Sequence, residues 1–523
     1  MLDSDKMQLE DFKIFFEALK EQGNFERNVK LFKTRNNGYL YDLGTGKVLM
    51  CDNNEFDVLS NIITNNGLES LHMLQISEGD LFLALNSIKA AIISENLFKA
   101  PKLTEFATAH TKFDLMKNNI ENNLEQITLE LTEECNLRCK YCIYTEDNTD
   151  YRNFNIDSMS WDIAKAAIDY GIEHSGESLA ITFYGGEPLL KFGILKQCIE
   201  YSKPFSRKKT ISYSLTTNLT LVTKEIAEYF SSLTNITIVC SLDGPKEVHD
   251  MNRTMINKEG SFDKAIRGLK LLVDAFADRA SVCLSLSMVM TLPVTDKKMT
   301  AIQNFFDELE WLPMDVRKNI SYAHRSSHRY ERLSGKTRVI NNNQNSEYCN
   351  PIADWSLENT TYQKNIDNKN IFTKTFIKEE FLRIHRRLIS NEPVGYYNLT
   401  GCCIPGSRRL YITVRGDFML CERIGNSPTI GNVYKGVDYR SIEKHYVNDY
   451  VNEAKKSCSQ CWAIRLCNVC YVDCYNKAGF KAEFKQDLCA GARYAVEKAL
   501  IDYHEVLERY PEELEYLNHI VFK

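Results

Sequence analysis

Strand-like and helix-like segments alternate through the middle of this chain of 523 residues, and that alternation limits its fold more than any other feature. Apolar and polar residues alternate in "QITLELTEE" (126–134) and "TISYSLTT" (210–217), as expected for strands. The intervening stretch "SMSWDIAKAAIDYGIEHSG" (158–176) has helical spacing, with Ser158 or Ser160 as its N-cap. Six β-then-α units of this kind within about 200 residues predict an α/β fold with a parallel sheet and right-handed crossovers, closed into a full or partial barrel.

The other predicted strands and helices of this pattern lie at 178–188, 192–203, 223–233, 235–242, 261–278, 281–290, 296–310 and 318–323. In parallel barrels the chemistry lies at the carboxyl ends of the strands. Four unusual segments directly follow or end predicted strands, namely "EECNLRCKYC", "YGGEP", "TTN" and "SLDG". We therefore expect these four segments to meet on one rim of the sheet.

The regions on either side of the predicted barrel have different sequence patterns from it. Within residues 1–118, "LFKTRNNGYLYDLGTGKVLMCD" predicts two strands joined by a Gly-rich turn, followed by helices, and hence a small α+β module. The barrel is assigned to 119–328, and the polar, Asn-rich stretch at 329–398 is interpreted as an insertion or linker. Residues 399–523 hold a dense set of cysteines and end in a predicted helix.

Composition and charge argue against several classes of protein. A net charge of −6 and a pI near 6.0 give no support for a nucleic-acid binder, which would normally have a basic face. No apolar run approaches the roughly 20 residues that span a bilayer, so no membrane association is expected. The N-terminal stretch "MLDSDKMQLEDFKIFF" is acidic and amphipathic, unlike a secretory signal, and this predicts a cytoplasmic protein.

The 17 cysteines are concentrated in two places. Three lie at 135–142, nine lie between 402 and 489, and five are scattered and interpreted as small buried apolar residues. Because the cytosol keeps thiols reduced, the two clusters indicate metal binding or catalysis rather than disulfides. Zinc and ordinary iron–sulfur sites have four protein ligands. The triplet therefore either takes a fourth ligand from elsewhere or leaves one metal position open.

The first cluster, Cys135, Cys139 and Cys142 in the spacing C-x3-C-x2-C with Tyr141 before the last thiol, resembles the radical S-adenosylmethionine (SAM) superfamily. The resemblance implies that the three thiolates hold a [4Fe–4S] cluster whose fourth iron binds the amino and carboxylate groups of SAM. An electron from that cluster would then split SAM to a 5′-deoxyadenosyl radical, which abstracts hydrogen. The competing interpretation is a zinc site with a distant fourth ligand.

The segments predicted to share the rim extend this resemblance. The glycines of "YGGEP" let the main chain approach the SAM amino group, "TTN" offers polar groups to the ribose, and Arg253 can pair with the SAM carboxylate. Alone, Arg253 could equally be a solvated surface charge. The SAM-binding residues that the resemblance implies are Tyr141, Gly185, Gly186, Glu187, Pro188, Thr217, Asn218, Ser241, Asp243 and Arg253.

The C-terminal cysteines resemble the SPASM domain, which follows the radical SAM barrel in peptide-modifying enzymes and implies two auxiliary [4Fe–4S] clusters. Cys403, Gly416 and Cys421 fit the family spacing, but position 471, where a further cysteine belongs, is Tyr471. The resemblance assigns an outer cluster to Cys458, Cys461, Cys467 and Cys489, and an inner one to Cys402 or Cys403, Cys421, and Cys470 or Cys474. The ligand count leaves open whether the inner cluster has a free iron for a substrate thiolate, and a pair of zinc knuckles is the alternative.

Two further features bear on catalysis and substrate. Glu422 follows Cys421, where sulfatase-maturing members of the family carry the acid that takes the substrate proton, so Glu422 is the candidate catalytic base. A supporting or surface glutamate is the alternative. The N-terminal module resembles the winged-helix-like element that binds leader peptides by pairing a strand with an extended segment, and a structural cap on the barrel is the alternative there.

Together these features predict a partial (β/α)6 radical SAM barrel between an N-terminal leader-binding module and a cysteine-rich iron–sulfur domain. The predicted function is maturation of a ribosomal precursor peptide by forming a thioether from a substrate cysteine, with a flavodoxin- or ferredoxin-type reductant. Three alternatives remain: formylglycine formation in a sulfatase, carbon–carbon cross-linking of peptide side chains, and a zinc-binding scaffold protein that is not an enzyme.

Overall fold

The computed structural model describes residues 3–65, 67–104, 106, 113–145, 151–291, 295–322, 380–395, 397, 403, 405–406, 408–470 and 474–520. The helices are α1 (Asp3–Gln22), α2 (Phe25–Asn28), α3 (Asn53–Asn65), α4 (Glu78–Glu95), α5 (Phe113–Asn122), α6 (Trp161–His174), α7 (Phe192–Ser202), α8 (Lys224–Ser231), α9 (Lys246–Asn252), α10 (Phe262–Phe276), α11 (Ala280–Cys283), α12 (Asp296–Glu308), α13 (Tyr439–Ser441), α14 (Tyr450–Cys458) and α15 (Ala482–Arg509). None of the helices in these residues is long and apolar enough to cross a bilayer. The insertion predicted at 329–398 lies mostly outside the described residues.

The central sheet has eight strands in the order β11-β10-β4-β5-β6-β7-β8-β9. The strands of the chain are β1 (Val29–Lys33), β2 (Gly38–Asp42), β3 (Val48–Cys51), β4 (Gln126–Thr132), β5 (Ser178–Gly185), β6 (Thr210–Thr217), β7 (Ile236–Ser241), β8 (Leu284–Met290), β9 (Arg317–Tyr322), β10 (Arg409–Ile412), β11 (Phe418–Met419), β12 (Gly431–Asn432), β13 (Gly436–Val437), β14 (Tyr475–Asn476) and β15 (Gly479–Phe480). Strands β4 to β9 run parallel, with helices between successive strands, which confirms the predicted α/β fold. β10 joins β4 in parallel, and β11 folds back on β10. Within the described residues β11 and β9 are not paired with each other, so the sheet is open.

The predicted boundaries agree closely with the observed ones because local capping sets them. β6 covers the predicted range 210–217. α6 starts after Ser160, whose hydroxyl accepts a hydrogen bond from the Ile163 N–H at 3.3 Å, so Ser160 rather than Ser158 is the cap. The largest shift at the start of a predicted strand is that of β8: the strand expected from 281 begins at Leu284, since residues 280–283 form the short helix α11.

The two faces of the central sheet carry different side chains. On β5, Leu179 and Phe183 are fully buried in the apolar core. Alternate positions point to the other face, where Thr182 accepts a hydrogen bond from Gln126 at 2.8 Å and pairs with the Ser214 hydroxyl at 2.7 Å. Parallel sheets covered on both faces are normally apolar throughout. The hydroxyl-bearing face therefore indicates that the inner side of the curved sheet accommodates polar groups.

The N-terminal region forms a three-stranded antiparallel sheet in the order β1-β2-β3, with α1, α3 and α4 packed on one face. The sequence predicted β2 and β3, and β1 pairs with β2 as a third strand. The Gly-rich turn after β2 is fixed by Asp42, which accepts hydrogen bonds from the Thr45 N–H at 2.7 Å and the Thr45 hydroxyl at 2.8 Å. Gly46 (φ +72°) suits this turn because a Cβ there would lie 2.2 Å from the Leu388 carbonyl oxygen.

The opposite face of β1 and β2 packs on the C-terminal helix α15. Tyr39 and Tyr41 lie in a buried apolar cluster with residues of α15. The Tyr39 hydroxyl donates to the Glu508 carboxylate at 2.7 Å, and Lys30 pairs with Glu497 at 2.8 Å. The N-terminal region is thus fixed to the C-terminal helix by apolar packing with polar contacts at its edge.

Candidate active site

The first cysteine cluster lies in the loop that leaves the carboxyl end of β4, where it was predicted. Main-chain hydrogen bonds hold this loop against the segment at the end of α9. The Arg138 N–H donates to the Thr254 carbonyl at 2.7 Å, and the Lys140 N–H donates to the Asn252 carbonyl at 2.9 Å. Because α9 follows β7, the loop at the end of β4 is held by the segment that follows β7 and α9.

The thiols of Cys135, Cys139 and Cys142 lie together, with Cys135 buried and Cys139 and Cys142 half-buried. Burial raises the pKa of Cys135 and Cys139 to about 12, and thiols of the same cluster add to the effect. Thiolates in such a place need a bound cation. Among the described residues, no three His, Cys, Asp or Glu side chains surround a single ion position. Which metal these thiols hold stays a prediction.

Asp243, just beyond the end of β7, organises charged and aromatic side chains beside the cysteine loop. Its carboxylate accepts two hydrogen bonds from Arg253, at 2.9 and 3.1 Å, and one from the Tyr141 hydroxyl at 2.6 Å. The Val289 N–H on β8 donates another at 2.9 Å. The charge of Arg253 also lowers the pKa of Cys139, against the larger effect of burial. Arg253 is therefore held inside the site, and its pairing with a SAM carboxylate stays a prediction.

The "YGGEP" turn at the end of β5 packs directly on the cysteine loop. The Gly186 N–H donates to the Thr132 carbonyl at 2.8 Å, and the Glu187 N–H donates to the Glu134 carbonyl at 2.9 Å. A Cβ on Gly186 would lie 2.0 Å from the Glu134 carbonyl oxygen, and one on Gly185 (φ +140°) would lie 2.3 Å from that of Thr132. Both glycines are therefore required by the close approach of two strand ends, and their contact with SAM stays a prediction.

The Glu187 carboxylate joins the ends of β5 and β6. It is 1% exposed and accepts hydrogen bonds from the Thr217 hydroxyl and the Asn218 N–H, both at 2.8 Å. Burial raises the pKa of Glu187 to about 7, against the effect of these bonds. The Asn218 amide donates to Asn136 in the cysteine loop at 2.9 Å. With the bond from Tyr141 to Asp243, all four predicted rim segments are therefore joined by hydrogen bonds. The other predicted residues at these strand ends are Pro188 and Ser241.

Glu130 and Arg152 form an ion pair near the cysteine loop that the sequence analysis missed. Glu130 is 1% exposed on β4, and the Arg152 Nε donates to its carboxylate at 2.6 Å. The Arg152 guanidinium lies 3.7 Å from the centroid of the Tyr144 ring, two residues beyond Cys142. The available signal was an acidic residue at a buried position of the strand "QITLELT", since a buried carboxylate requires a partner.

The C-terminal cysteines fall into two spatial groups, of which the outer one is formed by Cys458, Cys461, Cys467 and Cys489. Burial raises the pKa of Cys461 and Cys467, and the neighbouring Cys458 and Cys489 thiols raise it further. Lys485 on α15 reaches the same group. Burial lowers the pKa of its ammonium, but the Cys458 and Cys489 thiols act against burial and the net direction is upward. The predicted outer ligands therefore lie together, and the metal that they hold stays a prediction.

The inner group lies only partly within the described residues. Burial raises the pKa of Cys421 to about 12, and the Cys470 thiol adds to the effect, so these two thiols are neighbours. Cys474 is fully buried, and its thiol donates to the Cys470 carbonyl at 3.4 Å. Cys403 is exposed. Positions of this region outside the described residues include Cys402 and Tyr471.

Glu422 interacts with Cys421 of the inner group and with Tyr184, which also interacts with the first cysteine cluster. Its carboxylate pairs with Arg409 at 3.3 Å. The pKa of Tyr184, near the end of β5, is raised by burial first, then by the Glu422 carboxylate and by the Cys142 thiol. Since Tyr184 interacts with both groups, Glu422 shares the inner side of the sheet with the first cluster.

Asp243→Asn is expected to destabilise the central sheet region by about 3–5 kcal/mol, because it leaves the buried Arg253 guanidinium (8% exposed) without a charged partner. The midpoint of thermal unfolding, measured by circular dichroism on iron-free protein, should fall by on the order of 10 °C. Asp263→Asn removes the same charge from an ion pair with Lys246 in which Asp263 is 78% exposed, and should lower the midpoint by less than about 2 °C. Equal shifts in the two variants would contradict the importance of the buried pair.

Comparison with known proteins assigns part of the chain to a family. The model of the radical SAM superfamily matches residues 129–306. The cysteine-type anaerobic sulfatase-maturating enzyme of Clostridium novyi (strain NT) is 30% identical over 154 residues, which are 29% of this chain and 40% of that protein. The radical SAM cyclopropyl synthase TigE of Paramaledivibacter caminithermalis is 27% identical over 173 residues, 31% of this chain and 36% of that protein. The chain thus spans less than half the length of these two relatives.

A solved structure also resembles this chain. It is native anSMEcpe with bound AdoMet and the Cp18Cys peptide, with a TM-score of 0.50. The match covers 76% of this chain and 100% of that one at 16% identity, so it shows the fold alone. The family model, by contrast, covers all of the predicted SAM-binding segments between the ends of β4 and α9. It ends before the C-terminal cysteines and carries no information about them.

Proposed function

We propose that this chain, whose residues 129–306 form a radical SAM domain, is an enzyme that modifies a ribosomally made peptide and forms a thioether from one of its cysteines. The observation that carries this proposal is the set of three thiols, Cys135, Cys139 and Cys142, held at the sheet rim by the glycine turn and by the segment after α9. Sulfatase maturation is the second candidate, because a relative of that name matches part of this chain.

The residues of the rim suit SAM and a [4Fe–4S] cluster. When bound, the cluster supplies the electron that splits SAM into a 5′-deoxyadenosyl radical. Cys135, Cys139 and Cys142 would each hold one iron, and no fourth protein thiol would be needed if SAM takes the remaining position. Arg253, oriented by Asp243, brings a positive charge to the same place. The glycine turn keeps its main chain accessible for the amino group of SAM.

An extended peptide suits the N-terminal region. β3 is an outer strand of the three-stranded sheet, so one of its edges is unpaired within the described residues. Met50 on this strand is 66% exposed. A leader segment can add to such an edge as a further strand, with main-chain hydrogen bonds for affinity and side-chain contacts for selectivity. Since the opposite face of β1 and β2 packs on α15, a leader bound there is connected to the region of the outer cysteines.

The two groups of C-terminal thiols suit two auxiliary clusters. The outer group supplies four thiolates, the number that fully ligates a [4Fe–4S] cluster. The inner group supplies Cys421 and Cys470 as neighbours, with Cys474 close to Cys470. A centre with fewer than four protein ligands has room for a substrate thiolate. If the inner centre keeps one iron open, a substrate thiolate can bind there, and thioether formation would use that position.

The test is turnover of the anaerobically reconstituted full chain with SAM, a one-electron reductant and a choice of peptides. A cysteine-containing precursor peptide should lose two hydrogens and its alkylatable thiol, as measured by mass spectrometry. Its alanine-for-cysteine version should be inert. Conversion of a sulfatase peptide to the aldehyde, without reaction of the precursor, would replace the thioether function by sulfatase maturation. Reaction of the alanine version would instead support carbon–carbon cross-linking.

Glu422→Gln is expected to lower peptide turnover by about 100- to 10,000-fold, because the amide cannot take the substrate proton. The dissociation constant of SAM should be unchanged, since Glu422 pairs with Arg409 rather than with the predicted SAM-binding residues. Steady-state rates and equilibrium binding of SAM measure the two effects. Glu443→Gln, at an exposed position, is the control and should retain full turnover. Normal turnover in Glu422→Gln would reduce Glu422 to a supporting partner of Arg409.

A further inference from the structure

Lys485 is a buried cation that is surrounded by sulfur and hydroxyl groups. The residue is 3% exposed and lies in the first turn of α15. Its Nζ donates to the Ser457 hydroxyl at 3.0 Å and to the Cys458 sulfur at 3.3 Å, and it lies 3.7 Å from the Cys489 sulfur. In the part of the chain that the structure describes, no carboxylate lies within ion-pair distance of this ammonium.

A lysine in this position requires an anion. Lysine side chains are almost never fully buried unless they are paired, and burying an ammonium costs several kcal/mol. The N-terminal end of α15 adds further positive potential at the same place. The sulfurs of Cys458 and Cys489 balance these charges if both are thiolates, and thiolates are the form in which cysteine binds a metal. The ammonium therefore fits a loaded metal centre better than a set of neutral thiols.

The contacts of Lys485 join two elements through the ligands themselves. Lys485 and Cys489 are four residues apart on α15, so their side chains lie on one helix face. Cys458 is the last residue of α14. The ammonium thus approaches a thiol from each of the two helices that carry the outer group.

We propose that Lys485 raises the reduction potential of the metal centre held by Cys458, Cys461, Cys467 and Cys489. The inference rests on the proposed function, in which this outer group holds a [4Fe–4S] cluster. Potentials of such clusters depend on the local net charge and on hydrogen bonds to the sulfurs, and Lys485 supplies both. Reduction adds one electron from a flavodoxin- or ferredoxin-type donor, and no proton moves, because the ammonium keeps its three hydrogens.

The test compares Lys485→Met and Lys485→Gln, which remove the charge, with Lys485→Arg, which keeps it. The full chain is reconstituted, its iron is counted, and its centres are titrated with dithionite and followed by electron paramagnetic resonance. Each variant is also made without Cys135, Cys139 and Cys142, so that the signal of the first cluster is removed. The inner centre is followed separately in the same titration, because Cys474 also interacts with Lys485. At a fixed potential, the reduced-to-oxidised ratio of the outer centre should fall at least tenfold in the neutral variants, which is 59 mV for one electron. It should change less than twofold in Lys485→Arg.

A surface lysine provides the matched control. Lys456→Met removes the same charge two residues before Cys458, but the Lys456 side chain is 73% exposed, and surface charges are screened. The reduced-to-oxidised ratio of the outer centre in this variant should stay within twofold of the wild-type ratio. A tenfold change in this control as well would overturn the inference, because it would show an effect of overall charge rather than of the contact.

The remaining outcomes separate the inference from the function on which it rests. Unchanged ratios in neutral variants that retain their iron overturn the inference and leave the proposed function intact. Loss of the outer iron in both neutral variants, but not in Lys485→Arg, overturns the inference, because the charge would then retain the metal rather than set its potential. The same loss in Lys485→Arg overturns it. Zinc or no metal in the outer group of the wild type overturns the auxiliary cluster and the inference together.

Discussion

The variant with Cys135, Cys139 and Cys142 all replaced by alanine is expected to lose about four of about twelve iron atoms per chain, and all cleavage of SAM. Alanine offers no ligand, and the three thiols are the donors that the cysteine loop brings together. Without thiolates in the rim, no cluster is available to deliver the electron that SAM cleavage requires. Iron and acid-labile sulfide analysis of the anaerobically reconstituted protein measures the first effect, and release of 5′-deoxyadenosine measures the second.

Three cysteines of the apolar core provide a matched control. Cys198 and Cys240 are fully buried and Cys283 is 5% exposed, which confirms for them the interpretation as small buried apolar residues. Replacing these three by alanine should destabilise the protein by about 1 kcal/mol each and leave the iron content unchanged. Equal iron in the rim variant and the wild type, or zinc with little iron in the wild type, would exclude radical chemistry. The chain would then be a metal-stabilised binding protein.

The central fold was predictable because its signals are local. Alternating and helical patterns located all the strands from β4 to β9, and a serine at the right position fixed the start of α6. β10 and β11 were not predicted. β10 has four residues and pairs with β4, which lies far earlier in the chain, through partners such as Leu410 and Ile127. The stability of a strand this short comes from the edge that it joins and from burial, so its own sequence carries little signal.

The candidate site was predictable where the chemistry depends on spacing along the chain. Cysteine spacing and the "YGGEP" turn located the rim, and the structure brings these segments into contact. The missed residues act through contacts between distant segments. Lys485 is four residues before Cys489, which would have placed it on the same helix face, but the sequence analysis assigned no boundaries to that helix. Nothing in the sequence indicated that Arg152 packs on Tyr144 or pairs with Glu130.

The attachment of the N-terminal region to the outer cysteines also lay beyond sequence reasoning. Arg27, in α2, is 5% exposed and donates from Nε to the Ser459 carbonyl at 2.7 Å, next to Cys458. Its Nη1 donates to the Ala100 carbonyl at 2.9 Å, and so this one side chain links the N-terminal region to the end of α14. An arginine this deeply buried is held by its acceptors, and removing it leaves them without donors.

A second arginine makes the reverse connection. Arg465 lies between the outer cysteines Cys461 and Cys467, and its Nη1 donates to the carbonyls of Leu43 and Gly44 at 2.9 and 2.8 Å. These carbonyls belong to the turn after β2. The segment of the outer cysteines and the N-terminal sheet therefore contact each other through side chains from both sides. This turn is itself held by the hydrogen bonds that Thr45 donates to Asp42.

The double variant Arg27→Ala/Arg465→Ala is therefore expected to lose about four iron atoms, those of the outer group, and to keep the cluster of the rim. Each substitution leaves main-chain carbonyls without donors, at about 1–3 kcal/mol for each buried acceptor. Iron analysis together with uncoupled release of 5′-deoxyadenosine, which needs the rim cluster alone, distinguishes this selective loss from general unfolding.

Arg35→Ala is the matched control, because Arg35 joins the same two regions through an ion pair with Glu505 at 3.7 Å but its side chain is 55% exposed. It should retain all the iron, since exposed pairs contribute at most about 1 kcal/mol. Full iron in the double variant would show that the segment of the outer cysteines keeps its structure without these contacts. The N-terminal region would then not be needed for the outer metal site. Selective loss would make the proposed leader-binding region a structural part of the outer metal site, so that a peptide bound on β3 acts on the geometry of that site through Arg27 and Arg465.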